Sequence, residues 1–453
     1  MPTAPCPNSL APVGQYILQP GRAGWLGFPI RYFIDVEPDT DLSDVVRPRT
    51  SPLLRSVQTP YGERFVWATF SHDQVDVDFR NPDVLFEYLD ILLFYVHHGA
   101  RIIRLDAIAY LWKRIGGPCI HEPETHELVK LLRDILEMLA PGVILLTETN
   151  VPHAENLSYF GAGNEAHMIY QFSLPPLLLH ALHSGDASYL TSWAAGLEPP
   201  PPGCTFFNFT ACHDGIGVRP LEGLLPAAEF KGLVAAMEQR GGLVSRRSNP
   251  DGTATPYELN ITYFDAVGVP GDMDAYVRRF LCSQTIAMSL RGMPGIYFNS
   301  LLGAGNDLAG VEDTGRARSI NRRKWTLAEL DALLQEGYSD QAAAVLPEFL
   351  RRLRLRRTRD AFHPDADQIV LDLPKGLFGV RRDAGAGSVW MVANVSPRVV
   401  GCAMSRLHRR WKERRWRELI GGWEADGETL PSRLELDPYQ VAWLTCVEPV
   451  AEQ

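Results

Sequence analysis

The sequence predicts an α/β protein: a parallel sheet of the (β/α)8-barrel type followed by a small antiparallel β domain. Three observations carry this. Short runs such as Ile102-Ile-Arg-Leu105 and Val143-Ile-Leu-Leu-Thr147 are apolar on both faces, as buried parallel strands are. They alternate with amphipathic helical segments, the signature of βαβ units. After Phe362-His-Pro364 the pattern changes to short strands separated by turns.

Composition sets the outer limits. The chain has 453 residues, enough for two or three domains, and is 45% hydrophobic and 22% charged, ordinary for a globular protein. Its net charge of -10 argues against a general nucleic-acid binder. Seven cysteines are scattered without a CxxC pair, which points away from a disulfide framework or zinc site and toward a reducing cytoplasm. No charged segment followed by an apolar one opens the chain, so no signal peptide is expected. No run is long and apolar enough to read as a membrane span.

Residues 1–80 hold many Pro and Gly and read as an irregular subdomain, with Arg47-Pro-Arg49 as surface or an anion site. Regular alternation fills 81–360. Asn81-Pro-Asp83 opens a helix with apolar Val84, Leu85, Leu89, Leu92 and Val96, and Gly99 stops it. A strand over Arg101–Leu105 follows, then a helix over Thr125–Leu139 ended by Pro141-Gly142. The next strand ends in Glu148. Ala166–Phe172 reads as a strand, Leu174–His183 as a helix, and Thr205–Phe209 as a strand running into His213-Asp214. A Gly-, Pro- and Asn-rich excursion spans Gly215–Asp274. Ala275–Leu290 is the next helix, Gly295–Phe298 the last short strand, and Lys324–Arg357 is helical. Residues 365–447 form the antiparallel β domain, with strands near Ile369, Leu377, Val389 and Gln440. The basic run Arg406–Arg417, with Trp411 and Trp416, reads as a solvated face beside a strand rather than an anion site.

Three strand ends carry acids: Asp106, Glu148 and Asp214. In a barrel of parallel strands these ends share one rim, where the chemistry takes place. Arg104 beside Asp106 reads either as a structural ion pair or as a group that orients a catalytic carboxylate. Glycoside chemistry needs two carboxyl groups flanking one bond, one as nucleophile and one as proton donor. Three such acids, accompanied by Arg104 and His213, favour the catalytic reading. His121, Glu122, Glu124 and His126 lack the HExxH spacing, so no metal is expected, and no cofactor.

Arg104-Leu-Asp106-Ala, Thr147-Glu148-Thr-Asn150 and His213-Asp214-Gly-Ile-Gly217 resemble strand-end motifs of the α-amylase superfamily of glycoside hydrolases. Arg47-Pro-Arg49, Trp67–Phe70, Gln74-Val-Asp76, Leu174–Leu182 and Ser319-Ile-Asn-Arg322 resemble its sucrose phosphorylase subfamily. Ile108–Lys113 and Thr147–Asn156 are more similar to the glucosylglycerate phosphorylases than to the sucrose phosphorylases proper. The resemblance implies Asp106 as nucleophile, Glu148 as general acid/base and Asp214 as stabiliser of the transition state, with Arg104, His213 and Arg322 on the sugar. It implies Arg49 and Tyr257 as phosphate-binding, and Phe70 and Gln74 near the acceptor. The implied partners are an α-glucoside and inorganic phosphate. Neither nucleic acid nor membrane is expected, and oligomeric state is not legible.

The resemblance also implies three barrel strands ahead of the 1–80 subdomain, and none is readable upstream of Tyr32. The expectation is an incomplete barrel of about five strands, whose open edges disfavour folding of the chain alone. Competing readings are sucrose phosphorylase, a hydrolase or transglucosidase on the same fold, and an inactive truncated remnant.

Overall fold

The computed structural model describes residues 15–17, 32–49, 51–59, 62–249, 253–334, 341–385 and 387–447. The reading of Met1–Gly27 therefore lies outside the described residues, apart from Gln15–Ile17. The chain divides into two units. One runs to Tyr170 and takes in Pro201–Cys204 and Arg246–Tyr257; the other comprises Gln171–Pro200, Thr205–Ser245 and the chain from Glu258 onward.

In the first unit, the Asn81 side chain accepts the Asp83 N–H at 3.0 Å and Pro82 opens the helix Pro82–His97. Gly99, at φ +94°, ends it as expected. Val84 and Leu92 are buried, whereas Phe86, Ile91, Phe94 and Tyr95 are exposed, so the helix is apolar nearly all round. The strands Ile102–Leu105, Ile144–Thr147 and Met168–Tyr170 pair in parallel, with Leu105 opposite Thr147 and Thr147 opposite Ile169. The helix Pro123–Leu139 turns Val129, Leu132 and Leu136 inward.

Part of the stretch expected to be irregular is a hairpin. Leu54–Thr59 pairs antiparallel with Gly62–Trp67, Leu54 opposite Trp67. It anchors through its base: Trp67 is fully buried against Ile34, Val36, Val45, Leu53 and Cys119.

In the second unit, Thr205–Phe209 pairs in parallel with Met293–Gly295. The last strand thus lies earlier than the expected Gly295–Phe298, and Phe298–Leu301 is helical. Gly295 lies so close to the ring of Phe207 that an added Cβ would come within 2.3 Å of it, so any side chain there would have to displace that ring. Across both units the parallel strands number five among the described residues. The Gly215–Asp274 excursion also holds regular structure, including the helix Ala227–Gln239. Strand Ala254–Asn260 pairs with the short strand Ile216–Gly217.

The antiparallel domain is a six-stranded sheet whose spatial order runs Asp367–Val370, Leu377–Ala384, Gly387–Asn394, Val441–Val447, Arg415–Glu418, Glu424–Asp426. Its strands bury both faces. Val389, Met391 and Ala393 join one core with Phe280 and Phe349; Trp390 and Val392 join the other with Trp416 and Leu444. Each such side chain contributes about 1.5–3 kcal/mol. Trp416 is buried between exposed Arg415 and Arg417, so the basic run lies on the outer side of a strand. No helix among the described residues is long and apolar enough to cross a membrane.

Candidate active site

Parallel pairing sets two carboxylates side by side. Leu105 and Thr147 are opposite one another, so the next residues, Asp106 and Glu148, leave the sheet together. The Glu148 N–H donates to the Leu105 carbonyl at 3.0 Å, and the Ala107 N–H donates to Glu148 Oε2 at 3.0 Å. Ala107 sits in the left-handed region, at φ 50° and ψ 34°. A non-glycine residue held there is strained, and such strain concentrates where function holds geometry fixed.

Arg104 joins the pair. Its Nη1 donates to Asp106 Oδ1, and its Nη2 lies 3.9 Å from Glu148 Oε2. Its Nε donates to the Tyr170 hydroxyl at 3.1 Å, and the guanidinium lies 5.4 Å from the Tyr170 ring centre. Burial alone would lower the pKa of this guanidinium, but the Glu148 and Asp106 carboxylates outweigh it and hold the pKa above its ordinary value. The Asp106 side chain is 30% exposed and that of Glu148 12%, so both remain open to a bound molecule.

A second group in the same unit centres on Arg49. Its guanidinium lies between two aromatic rings, 5.7 Å from Phe70 and 5.2 Å from Tyr257. Phe70 in turn meets Tyr110 edge-on at 5.4 Å. Gln74 closes the turn that carries Phe70: its N–H donates to the Ser71 carbonyl at 3.0 Å, and its Oε1 accepts from the Ser71 hydroxyl at 3.0 Å.

In the second unit, Asp214 follows the strand Thr205–Phe209. Arg318 Nη1 donates to its Oδ1, Arg322 Nη2 donates to the same oxygen at 3.1 Å, and His213 Nε2 lies 3.7 Å away. Asn321 Nδ2 donates to its carbonyl at 2.5 Å, and Arg322 Nε to that of His213 at 2.5 Å. Arg318 also meets the buried Glu258 at 3.1 Å. Glu258 Oε1 accepts the Gly215 N–H at 2.6 Å. At Gly215 an added Cβ would come 2.6 Å from Glu258 Cγ and 2.7 Å from the Leu259 carbonyl. Glycine is required by close approach here, not by φ.

The residues tested for a metal site have other partners. His121 meets Tyr159 and Glu155, His126 meets Glu165, and Glu122 and Glu124 meet Arg114.

A family model described as "Alpha amylase, catalytic domain" matches residues 60–193. The glucosylglycerate phosphorylase of Escherichia coli (strain K12) is 43% identical over 420 residues, covering 91% of this chain and 72% of that protein. The chain belongs to the α-amylase family, on its glucosylglycerate phosphorylase branch. Sucrose phosphorylases are more distant: that of Agrobacterium vitis is 28% identical, with 72% of this chain and 64% of that one covered. In fold, the α-amylase-family chain is similar to the crystal structure of sucrose 6F-phosphate phosphorylase from Thermoanaerobacter thermosaccharolyticum. The TM-score is 0.67 at 24% identity, covering 78% of this chain and 68% of that one. The fold is thus the (β/α)8-barrel type with a C-terminal antiparallel β domain, and the chain is an enzyme of the glucoside phosphorylase kind.

The residues expected from the family resemblance fall into three groups: Arg104, Asp106 and Glu148; Arg49, Phe70 and Tyr257, with Gln74 in the turn beside Phe70; and His213, Asp214 and Arg322. Sequence reasoning missed Tyr170, Arg318 and Glu258. Tyr170 ends the third strand, a position that invited the same attention as Asp106. Arg318 precedes the quoted Ser319–Arg322 stretch, and Glu258 follows Tyr257 directly.

Proposed function

We propose that this chain transfers glucose from an α-glucoside of the glucosylglycerate type to inorganic phosphate, releasing α-glucose 1-phosphate with retention. The observation that carries the reading is Arg104, one guanidinium against both Asp106 and Glu148. One cation shared by the two acids keeps them at one site, where one carboxylate can attack the sugar while the other carboxyl group gives a proton.

In the first step Asp106 attacks the anomeric carbon and the glycosidic bond breaks. Glu148 gives its proton to the departing glycerate oxygen, and a glucosyl ester on Asp106 remains. In the second step a phosphate oxygen attacks the same carbon. Glu148 takes the phosphate proton, the ester bond breaks, and Asp106 returns as a carboxylate. Two inversions give retention. Arg104 faces the charge that Asp106 loses and regains, while Asp214 and His213 serve the sugar ring and its developing positive charge. Arg49 and Tyr257 receive the phosphate, a role that the guanidinium's fork of donors suits. Phe70 and Gln74 border the acceptor. The proposal includes a cytoplasmic setting, supported by the described cysteines, all free thiols.

The test is glucose 1-phosphate formation by the purified chain with phosphate and a panel that includes glucosylglycerate and sucrose. Product from glucosylglycerate supports the proposal, product from sucrose alone reassigns the donor, and no product from a folded chain overturns it. Arg49→Ala separates phosphorolysis from hydrolysis: the first should fall at least about a hundredfold while the second survives.

A further inference from the structure

Asp76 and Lys113 form an ion pair inside the first unit, remote from water. Lys113 Nζ lies 2.8 Å from Asp76 Oδ2, with the side chains 2% and 4% exposed. Taking two charges out of water costs several kcal/mol per ion, and a well-packed apolar pair is often as stable. A buried ion pair is therefore weak evidence of stabilisation, and its use is better sought in geometry.

That geometry is specific. Asp76 accepts from both the N–H and the hydroxyl of Thr69, and the hydroxyl in turn accepts from Trp67 Nε1 at 3.0 Å. Asp76 thus closes the loop Thr69–Asp76 at both ends, and this loop carries Phe70 and Gln74. Lys113 binds the other side. It belongs to the segment that follows Asp106, and its Nζ also donates to the Tyr110 carbonyl. Tyr110 is the residue whose ring meets Phe70 edge-on, and Phe70 is one of the two rings flanking Arg49. A continuous set of contacts runs from the chain after Asp106, through Lys113 and Asp76, to Phe70 and Arg49.

We infer that Lys113, acting through Asp76, is a positioning residue that fixes the Phe70 loop, and with it Arg49, for attack by phosphate on the glucosyl ester. Neither residue is placed against substrate. The inference rests on the phosphorylase reading above, and it specifies what sets the preference for phosphate over water. An ammonium with two fixed acceptors holds the loop at one distance from the Asp106 segment. An apolar pair would hold the two together without fixing that distance. A displacement of about 1 Å at a reacting centre costs on the order of a hundredfold in rate.

The experiment measures the ratio of glucose 1-phosphate to free glucose formed from glucosylglycerate at fixed phosphate. This ratio does not depend on how much of the protein is folded, because both products come from the same glucosyl-enzyme. Lys113→Met should lower it by roughly tenfold to a hundredfold and raise KM for phosphate. Lys113→Arg, which keeps the charge, should restore part of it. An unchanged ratio with both rates reduced together would make the pair purely structural and overturn the inference. If Lys113→Met yields no soluble chain, Asp76→Asn decides in the same way, since it keeps an acceptor for Thr69 and removes the charge. Absence of glucose 1-phosphate from the unsubstituted chain would instead refute the phosphorylase reading itself.

Discussion

Arg318 donates to the carboxylate of Asp214 from 104 positions further along the chain, and the same guanidinium meets the buried Glu258. One cation therefore holds two acids, one of them proposed to face the sugar. Removing it leaves Glu258, only 2% exposed in its side chain, without this counter-charge. Arg318→Leu should destabilise the chain by about 3 kcal/mol, the lower end for breaking a buried pair, because Arg318 itself is partly exposed. Arg318→Lys should recover little, since an ammonium lacks the planar fork that spans two carboxylates. Urea unfolding of the three proteins checks this, and equal midpoints would refute it.

Asp106→Asn should leave the fold intact and lower transfer by at least about a thousandfold, the scale expected on losing a nucleophile. Arg104→Met should also reduce transfer, and in addition lower stability, because it leaves Asp106 and Glu148 adjacent without their shared cation. Circular dichroism together with a donor-consumption assay separates the two variants. Comparable turnover by Asp106→Asn would remove Asp106 from the proposed role.

Glu148→Gln should discriminate between leaving groups. A departing alkoxide needs a proton, whereas fluoride does not. Glucosylglycerate turnover should fall at least about a hundredfold in this variant. α-Glucosyl fluoride should still form the glucosyl-enzyme at a rate near that of the parent. Equal losses on both donors would show that Glu148 does not act as the acid.

Acid stability should carry the mark of His183. Burial, reinforced by the Arg279 and Arg240 guanidinium groups, lowers its pKa to about 3, and its Nε2 lies 2.8 Å from the Ala266 carbonyl. The unfolded chain binds this proton near pH 6.5, well before the folded one does. Between about pH 6.5 and 3 the unfolded state thus holds more protons, and stability falls as pH falls. Above that window the contribution is constant. His183→Gln should flatten the slope of melting temperature against pH across this range; an unchanged slope would assign the effect to other groups.

The parts of this architecture that were legible in the sequence are those fixed by local pattern. The strands ending at Leu105 and Thr147 are short apolar runs, so the acids after them stand out as charges in a place that rejects idle charge. The six-stranded sheet declared itself through β-branched and aromatic residues such as Val389-Trp390-Met-Val392. Long-range contacts were not legible. Nothing local to Arg318 indicates Asp214, and nothing near Lys113 indicates Asp76. The hairpin from Leu54 to Trp67 escaped notice because its faces are mostly half-exposed and carry Arg55, Glu63 and Arg64 among the apolar residues. The last parallel strand was placed too late because the β-branched and aromatic residues lie in Ile296-Tyr-Phe298, whereas the pairing uses Met293-Pro-Gly295.

Gly215 sits between Asp214 and the buried Glu258 with no space for a single further carbon. In genetic terms this makes it a lock. Any change in the first two bases of its codon introduces a side chain or a stop, and the smallest side chain already collides with the Leu259 backbone. Second-site suppressors cannot readily answer such a lesion, because part of the obstruction, the Leu259 carbonyl, is main chain, which no other mutation can trim. In a population sample of this gene, codon 215 should therefore show synonymous variation alone, even where its neighbours drift.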